Sequence, residues 1–139
     1  MGLCAAIGLM SLTLATRALA DEKDKDKDEK AEKVKIPDTV EGIWKEIHTH
    51  HMELAETIKS KKLADVHHHA FAIRDLAKAL PAKAAADKKK QVEGAVKNIS
   101  KLADDLDKAG DDGKQAETEA LLKKLDGVLK VLEAQFEKK

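Results

Sequence analysis

The chain has 139 residues, in which 26 Lys and Arg balance 26 Asp and Glu, so the formal net charge at pH 7 is zero. This balance excludes a nucleic-acid-binding protein that works by bulk positive charge. Seven Gly and two Pro supply little turn chemistry, which argues against a many-stranded β fold. The length predicts one domain, and 42% hydrophobic residues are enough for one core.

Residues 1–20 are predicted to be a signal peptide. They form an apolar run that ends on Ala18, Leu19 and Ala20, the small-x-small pattern of a secretory cleavage site. We therefore expect a secreted or periplasmic protein after cleavage near Ala20. An uncleaved signal would instead be a membrane anchor, although a span needs about 20 apolar residues and this run is shorter. Cleavage would also remove Cys4, the single cysteine, and with it any thiolate ligand.

Residues 21–37 are predicted to be a charged, disordered tether. Their first thirteen residues, DEKDKDKDEKAEK, are charged at almost every position and contain nothing larger than Ala that could be buried. Pro37 marks the entrance of the helical domain, which we place at residues 38–139. Asp38 and Glu41 form a candidate capping box at the start of its first helix.

Four segments of this domain carry apolar residues at the three- and four-residue spacing of amphipathic helices. The breaks between the segments are short, so the helices can bury their apolar stripes only as an antiparallel up-down four-helix bundle, an all-α fold. We expect the third helix to begin near Ala84, and Gly110 to end it as a C-terminal cap. The stripes run from Val40 to Ile58, from Leu63 to Leu80, from Val92 to Leu106 and from Leu121 to Phe136.

Two segments resemble known periplasmic proteins. Residues 114–136, KQAETEALLKKLDGVLKVLEAQF, and the layout of the four helices resemble the soluble cytochrome bundles of the b and c-prime types. The resemblance implies a haem-ligating His near the end of the fourth helix. This chain has Leu132, Glu133 and Gln135 there, so the haem ligand does not carry over. Residues 66–81, VHHHAFAIRDLAKALP, are similar to small His-containing periplasmic proteins that accompany heavy-metal resistance systems.

All six histidines of the chain lie between residues 48 and 69, in the first two predicted helices. On the first helix, His51 falls inside the apolar stripe, and His48 and His50 flank it on opposite sides. On the second helix, His67 and His69 flank the stripe. The short turn between the helices brings the histidines of the first helix and those of the second to the same level along the helix axes. Packed helices lie about 8–10 Å apart, so one imidazole from each can reach a common ion.

The hand of the bundle decides which histidines meet, and the sequence leaves both hands open. With one hand His50 faces His69, and Glu46, Glu53 and Asp65 lie nearby. With the other hand His48 and His51 face His67, with Met52 as a neighbour. Either hand pairs imidazoles across the hairpin, so we predict a transition-metal site. Its candidate ligands are His48, His50, His51, His67 and His69.

A nitrogen-rich ligand set suits Zn or Cu(II) best, with Ni or Co as alternatives, rather than Ca or Mg. Binding requires neutral imidazoles, so occupancy should fall as the pH drops through the His pKa of about 6.5. The sequence contains no H-E-x-x-H motif and no plausible serine triad, so we expect a metal sensor, buffer or carrier and not an enzyme. A second copy could complete a half-exposed set of imidazoles, which would make the protein a homodimer.

Two other functions fit the sequence. One is a structural or protein-interaction bundle without a metal, in which Phe71 and His68 form an exposed contact face. The other is a haem-binding electron carrier with Met52 or a His as the axial ligand. Metal binding differs from both in that it accounts for the placement of the histidines on facing helices.

Overall fold

The computed structural model describes residues 33–137, and all regular structure within that range is helical. The prediction of an all-α protein with four helices is confirmed for these residues. The predicted signal peptide and residues 21–32 of the predicted tether lie outside them. The helices are α1 (Val40–Lys59), α2 (Val66–Lys78), α3 (Lys89–Asp111) and α4 (Gln115–Glu133).

The core consists of one buried stripe from each α-helix. Ile47 in α1, Ile73 in α2, Ile99 in α3 and Leu125 in α4 are each at most 1% exposed. Burying one such side chain stabilises the fold by roughly 1.5–3 kcal/mol. Because isolated helices of this length are marginal in water, these shared stripes hold the helices in place.

The first helix begins one residue later than the predicted capping box. Thr39, and not Asp38, is the N-cap of α1, and its hydroxyl accepts a hydrogen bond from the Gly42 N–H at 3.0 Å. Thr39 has the extended backbone that an N-cap adopts. The capping-box prediction was therefore wrong by one residue.

The third helix also starts later than predicted, at Lys89 and not near Ala84. After a 3-10 turn at Pro81–Lys83, Ala84 has extended backbone geometry that ends the turn. The first buried side chain of α3 is Val92. Residues 84–88 contain no apolar side chain larger than Ala, so the core contact of Ala84 adds little burial that would favour an earlier start of the helix.

Gly110 allows α2 and α3 to approach each other closely. It does not end the helix as predicted, because α3 continues through Asp111. A Cβ at Gly110 would lie 2.6 Å from the carbonyl oxygen of Leu63, in the turn that leads into α2. The chain reverses at Gly113 instead, whose φ of 67° lies in the left-handed region that glycine adopts without strain.

Side chains tie α4 to the rest of the domain at both of its ends. The Gln115 side-chain amide donates to the carbonyl of Ile58 at 2.9 Å, so the start of α4 lies beside the last turn of α1. The Lys88 ammonium donates to the carbonyl of Gln135 at 2.8 Å, which places the residues after α4 beside the start of α3. The histidines of α1 therefore lie between two neighbouring helices, α2 on one side and α4 on the other.

Candidate metal centre

Two histidines and one carboxylate meet where α1 faces α2. His50 and Glu53 are three residues apart on α1, a spacing that places both side chains on one helix face. His69 reaches the same point from the first turns of α2. The two imidazoles are mostly buried, with side-chain exposures of 23% and 22%, and the Glu53 side chain is half exposed. The cluster therefore lies at the edge of the core, open to solvent on the side of its carboxylate.

The three potential ligand atoms form a nearly equilateral triangle. The Nδ1 atoms of His50 and His69 are 3.4 Å apart. Glu53 Oε2 lies 3.4 Å from His50 Nδ1 and 3.3 Å from His69 Nδ1. Each residue can offer a lone pair to a shared point, so the group could hold a metal ion.

The surroundings of His69 favour the neutral form of its ring, which is the form that binds metals. Burial lowers the pKa of His69 below its ordinary value. The Glu53 carboxylate opposes this effect, whereas the neighbouring His50 and His68 rings add to it. A neutral His69 keeps a ring nitrogen free to coordinate at pH values somewhat below those at which an exposed imidazole becomes protonated.

Of the two arrangements that the sequence allows, the structure contains the one in which His50 faces His69. Glu53 joins this pair directly. Glu46 lies on the other side of His50, where both line a surface hollow with Val34, Lys35 and Pro37. The sequence predicted Glu53 only as a residue near this pair of histidines. Its three-residue spacing from His50 nevertheless indicates that the two side chains share one face of α1.

His48 and His51 face α4 and not α2. His48 Nε2 lies 3.2 Å from a carboxylate oxygen of Glu133. His51 Nε2 is buried and lies 4.0 Å from Asp126, beyond hydrogen-bond reach. Burial lowers the pKa of His51; Asp126 opposes the shift, and His48 and Lys130 add to it. These two histidines therefore belong to the seam between α1 and α4.

His67 lies with its neighbours on α2. Its ring centroid is 4.0 Å from that of His68 and 6.4 Å from that of Phe71. Among the five predicted ligands, the structure thus brings together His50 and His69. It places His48 and His51 at the seam with α4, and His67 on α2 beside His68.

The prediction of a contact face formed by Phe71 and His68 is wrong for Phe71. Phe71 is only 2% exposed, and the Arg74 guanidinium lies over its ring at 4.4 Å. Arg74 is in turn held by Asp75 at 2.9 Å and approaches Asp104 of α3 at 3.8 Å. The arginine covers the ring because α2 packs against α3 on this side, where the sequence pattern had suggested open solvent.

Comparison of the chain with known protein families, with curated proteins and with solved structures finds no match. Within residues 33–137, no helix is both long enough and apolar enough to cross a bilayer. The geometry of the triangle between α1 and α2 is therefore the strongest indication of function in this part of the chain.

Proposed function

We propose that the protein is an exported metal carrier or buffer, an antiparallel up-down four-helix bundle that binds one transition-metal ion through His50, Glu53 and His69. The observation that carries the proposal is the convergence of two imidazole nitrogens and one carboxylate oxygen, from two helices, within 3.4 Å of one another. Two nitrogens and one oxygen suit Zn²⁺, Co²⁺, Ni²⁺ or Cu²⁺ better than Ca²⁺ or Mg²⁺, which prefer oxygen ligands.

The contact between the two imidazoles places both ring nitrogens where they could coordinate one ion. Without an ion, the two Nδ1 atoms at 3.4 Å can form a hydrogen bond only if one ring donates and the other accepts. With a bound cation both rings would coordinate in the neutral form, and the carboxylate would balance part of the charge.

The exported location rests on the apolar residues 1–20 and their small-x-small end. Expression in a bacterial host, followed by mass spectrometry of the protein from a periplasmic extract, tests it. A mature chain beginning at Asp21 supports export, and a full-length chain in the cytosol contradicts it.

Calorimetric titration of the purified protein with Zn²⁺ tests the metal site. We expect one saturable site per chain that is lost in the double variant His50→Ala/His69→Ala. The variant His67→Ala/His68→Ala removes the same number of imidazoles from the same hairpin and should keep the site. Equal binding by the wild-type protein and the His50/His69 variant would refute the proposal.

A further inference from the structure

The edges of the ligand triangle have the length expected for one face of a coordination tetrahedron. With metal–ligand bonds of about 2.0–2.1 Å, the ligand atoms of a tetrahedral site lie about 3.3–3.4 Å apart. With the same bonds, neighbouring ligands of an octahedral or square-planar site lie only about 2.9 Å apart. The observed separations among His50, His69 and Glu53 are 3.4, 3.4 and 3.3 Å. The triangle therefore fits a tetrahedral ion such as Zn²⁺ or Co²⁺.

A tetrahedral ion on this triangle needs a fourth ligand. Among residues 33–137, the group of His, Cys, Asp and Glu side chains that converge here has only these three members. Beside His69 and Glu53 lies a surface hollow of about 270 Å³. A small molecule can enter it and reach the ion from the solvent side.

The charge of a bound divalent ion favours an anionic fourth ligand. Two neutral imidazoles and one carboxylate leave a divalent ion with one net positive charge. Lys62 lines the same hollow and offsets the charge of the Glu56 carboxylate on its wall, which accepts a hydrogen bond from the Ser60 hydroxyl at 3.2 Å. An incoming carboxylate or similar anion thus meets the ion and a nearby ammonium group.

We infer that the site is a three-ligand tetrahedral centre whose fourth position is occupied by an exchangeable small anionic ligand that enters through this hollow. The inference rests on the proposed function, because it requires that the triangle binds a metal. An open position also provides a route for transfer: a donor atom of an acceptor coordinates the ion there before the protein ligands leave.

Titration with Co²⁺, followed by azide, tests the inference in the full chain. Tetrahedral Co²⁺ has intense visible bands that six-coordinate Co²⁺ lacks, and these bands shift when a ligand is exchanged. We expect intense bands that are lost in Glu53→Gln and kept in His67→Ala. Azide should shift them at a lower concentration than neutral imidazole does. Lys62→Gln should raise the azide concentration at half-response about two- to fivefold, and the exposed control Lys59→Gln should leave it unchanged.

The outcomes separate this inference from the proposed function. Absence of saturable binding of both Co²⁺ and Zn²⁺ refutes both proposals. Saturable binding with weak bands keeps the metal site but overturns the tetrahedral geometry. Intense bands that azide does not shift show that a further protein ligand, such as Glu56, occupies the fourth position, which overturns the exchangeable ligand. A stronger response to imidazole than to azide overturns the assignment of an anionic ligand.

Discussion

Replacing Gly110 by Ala should weaken the contact between α2 and α3 that supports the hairpin of the candidate metal site. The new Cβ would lie 2.6 Å from the Leu63 carbonyl oxygen and 3.3 Å from the Val66 Cβ. The oxygen belongs to the backbone and cannot rotate away, so the start of α2 must move. Overpacking of this kind costs about 1–3 kcal/mol, whereas the better helix propensity of Ala returns about 1 kcal/mol. We expect a net loss of up to about 2 kcal/mol in the free energy of unfolding.

Gly94 of the same helix provides a matched control, because a Cβ there meets nothing within 4 Å. Gly94→Ala should therefore raise the free energy of unfolding by about 0.5–1 kcal/mol. Urea unfolding followed by circular dichroism measures both variants. If Gly110→Ala is as stable as Gly94→Ala, the close approach of α2 and α3 is not a tight contact and this reasoning fails.

Three further changes test other contacts. Thr39→Ala removes the acceptor for the Gly42 N–H and should lower the free energy of unfolding, measured in urea, by about 1 kcal/mol. Thr49→Ala is the control and should lower it less, because the Thr49 hydroxyl bonds only within its own helix. Burial lowers the pKa of His51 and His69 in the folded chain, so the unfolded chain binds more protons below pH of about 6.5. The stability of the metal-free protein should then be highest above that pH and fall as the pH drops through the lowered pKa values. His51→Gln should flatten this dependence, and an unchanged slope would contradict it. Glu53→Gln should weaken Zn²⁺ binding at least about tenfold and lower the pKa of His69 further, as followed by NMR titration.

The four helices could be predicted because their signals are local. Each apolar stripe repeats within one helix, and residues such as Ile47 and Ile73 are buried as that repeat requires. The helix ends were less predictable where they depend on distant contacts. Gly110 looks like a C-terminal cap in the sequence, and only its contact with Leu63, far away in the chain, explains why a glycine is needed within α3.

The candidate site was predictable only up to the hand of the bundle. The length of the turn after α1 sets which residues of α1 and α2 lie at the same height, and this is a local property. Which side of α1 meets α2 depends on packing of the whole core, including Phe71, which is buried beneath Arg74. The same packing turns His48 and His51 towards α4. The helical repeat of 3.6 residues cannot determine which side of α1 meets α2, because histidines flank the apolar stripe of α1 on both sides.

The position of the triangle outside the core favours a carrier over a structural metal site. Ile47, Leu54 and Ile73 are fully buried and fix α1 against α2 by apolar contacts that need no ion. Small zinc domains lack such a core, so metal binding supplies the free energy that folds them. Packing already holds the two histidines together, so a bound ion would need to organise only the half-exposed Glu53 side chain. A site that is formed before the ion arrives, and whose last ligand lies at the surface, can exchange its metal without unfolding the helices.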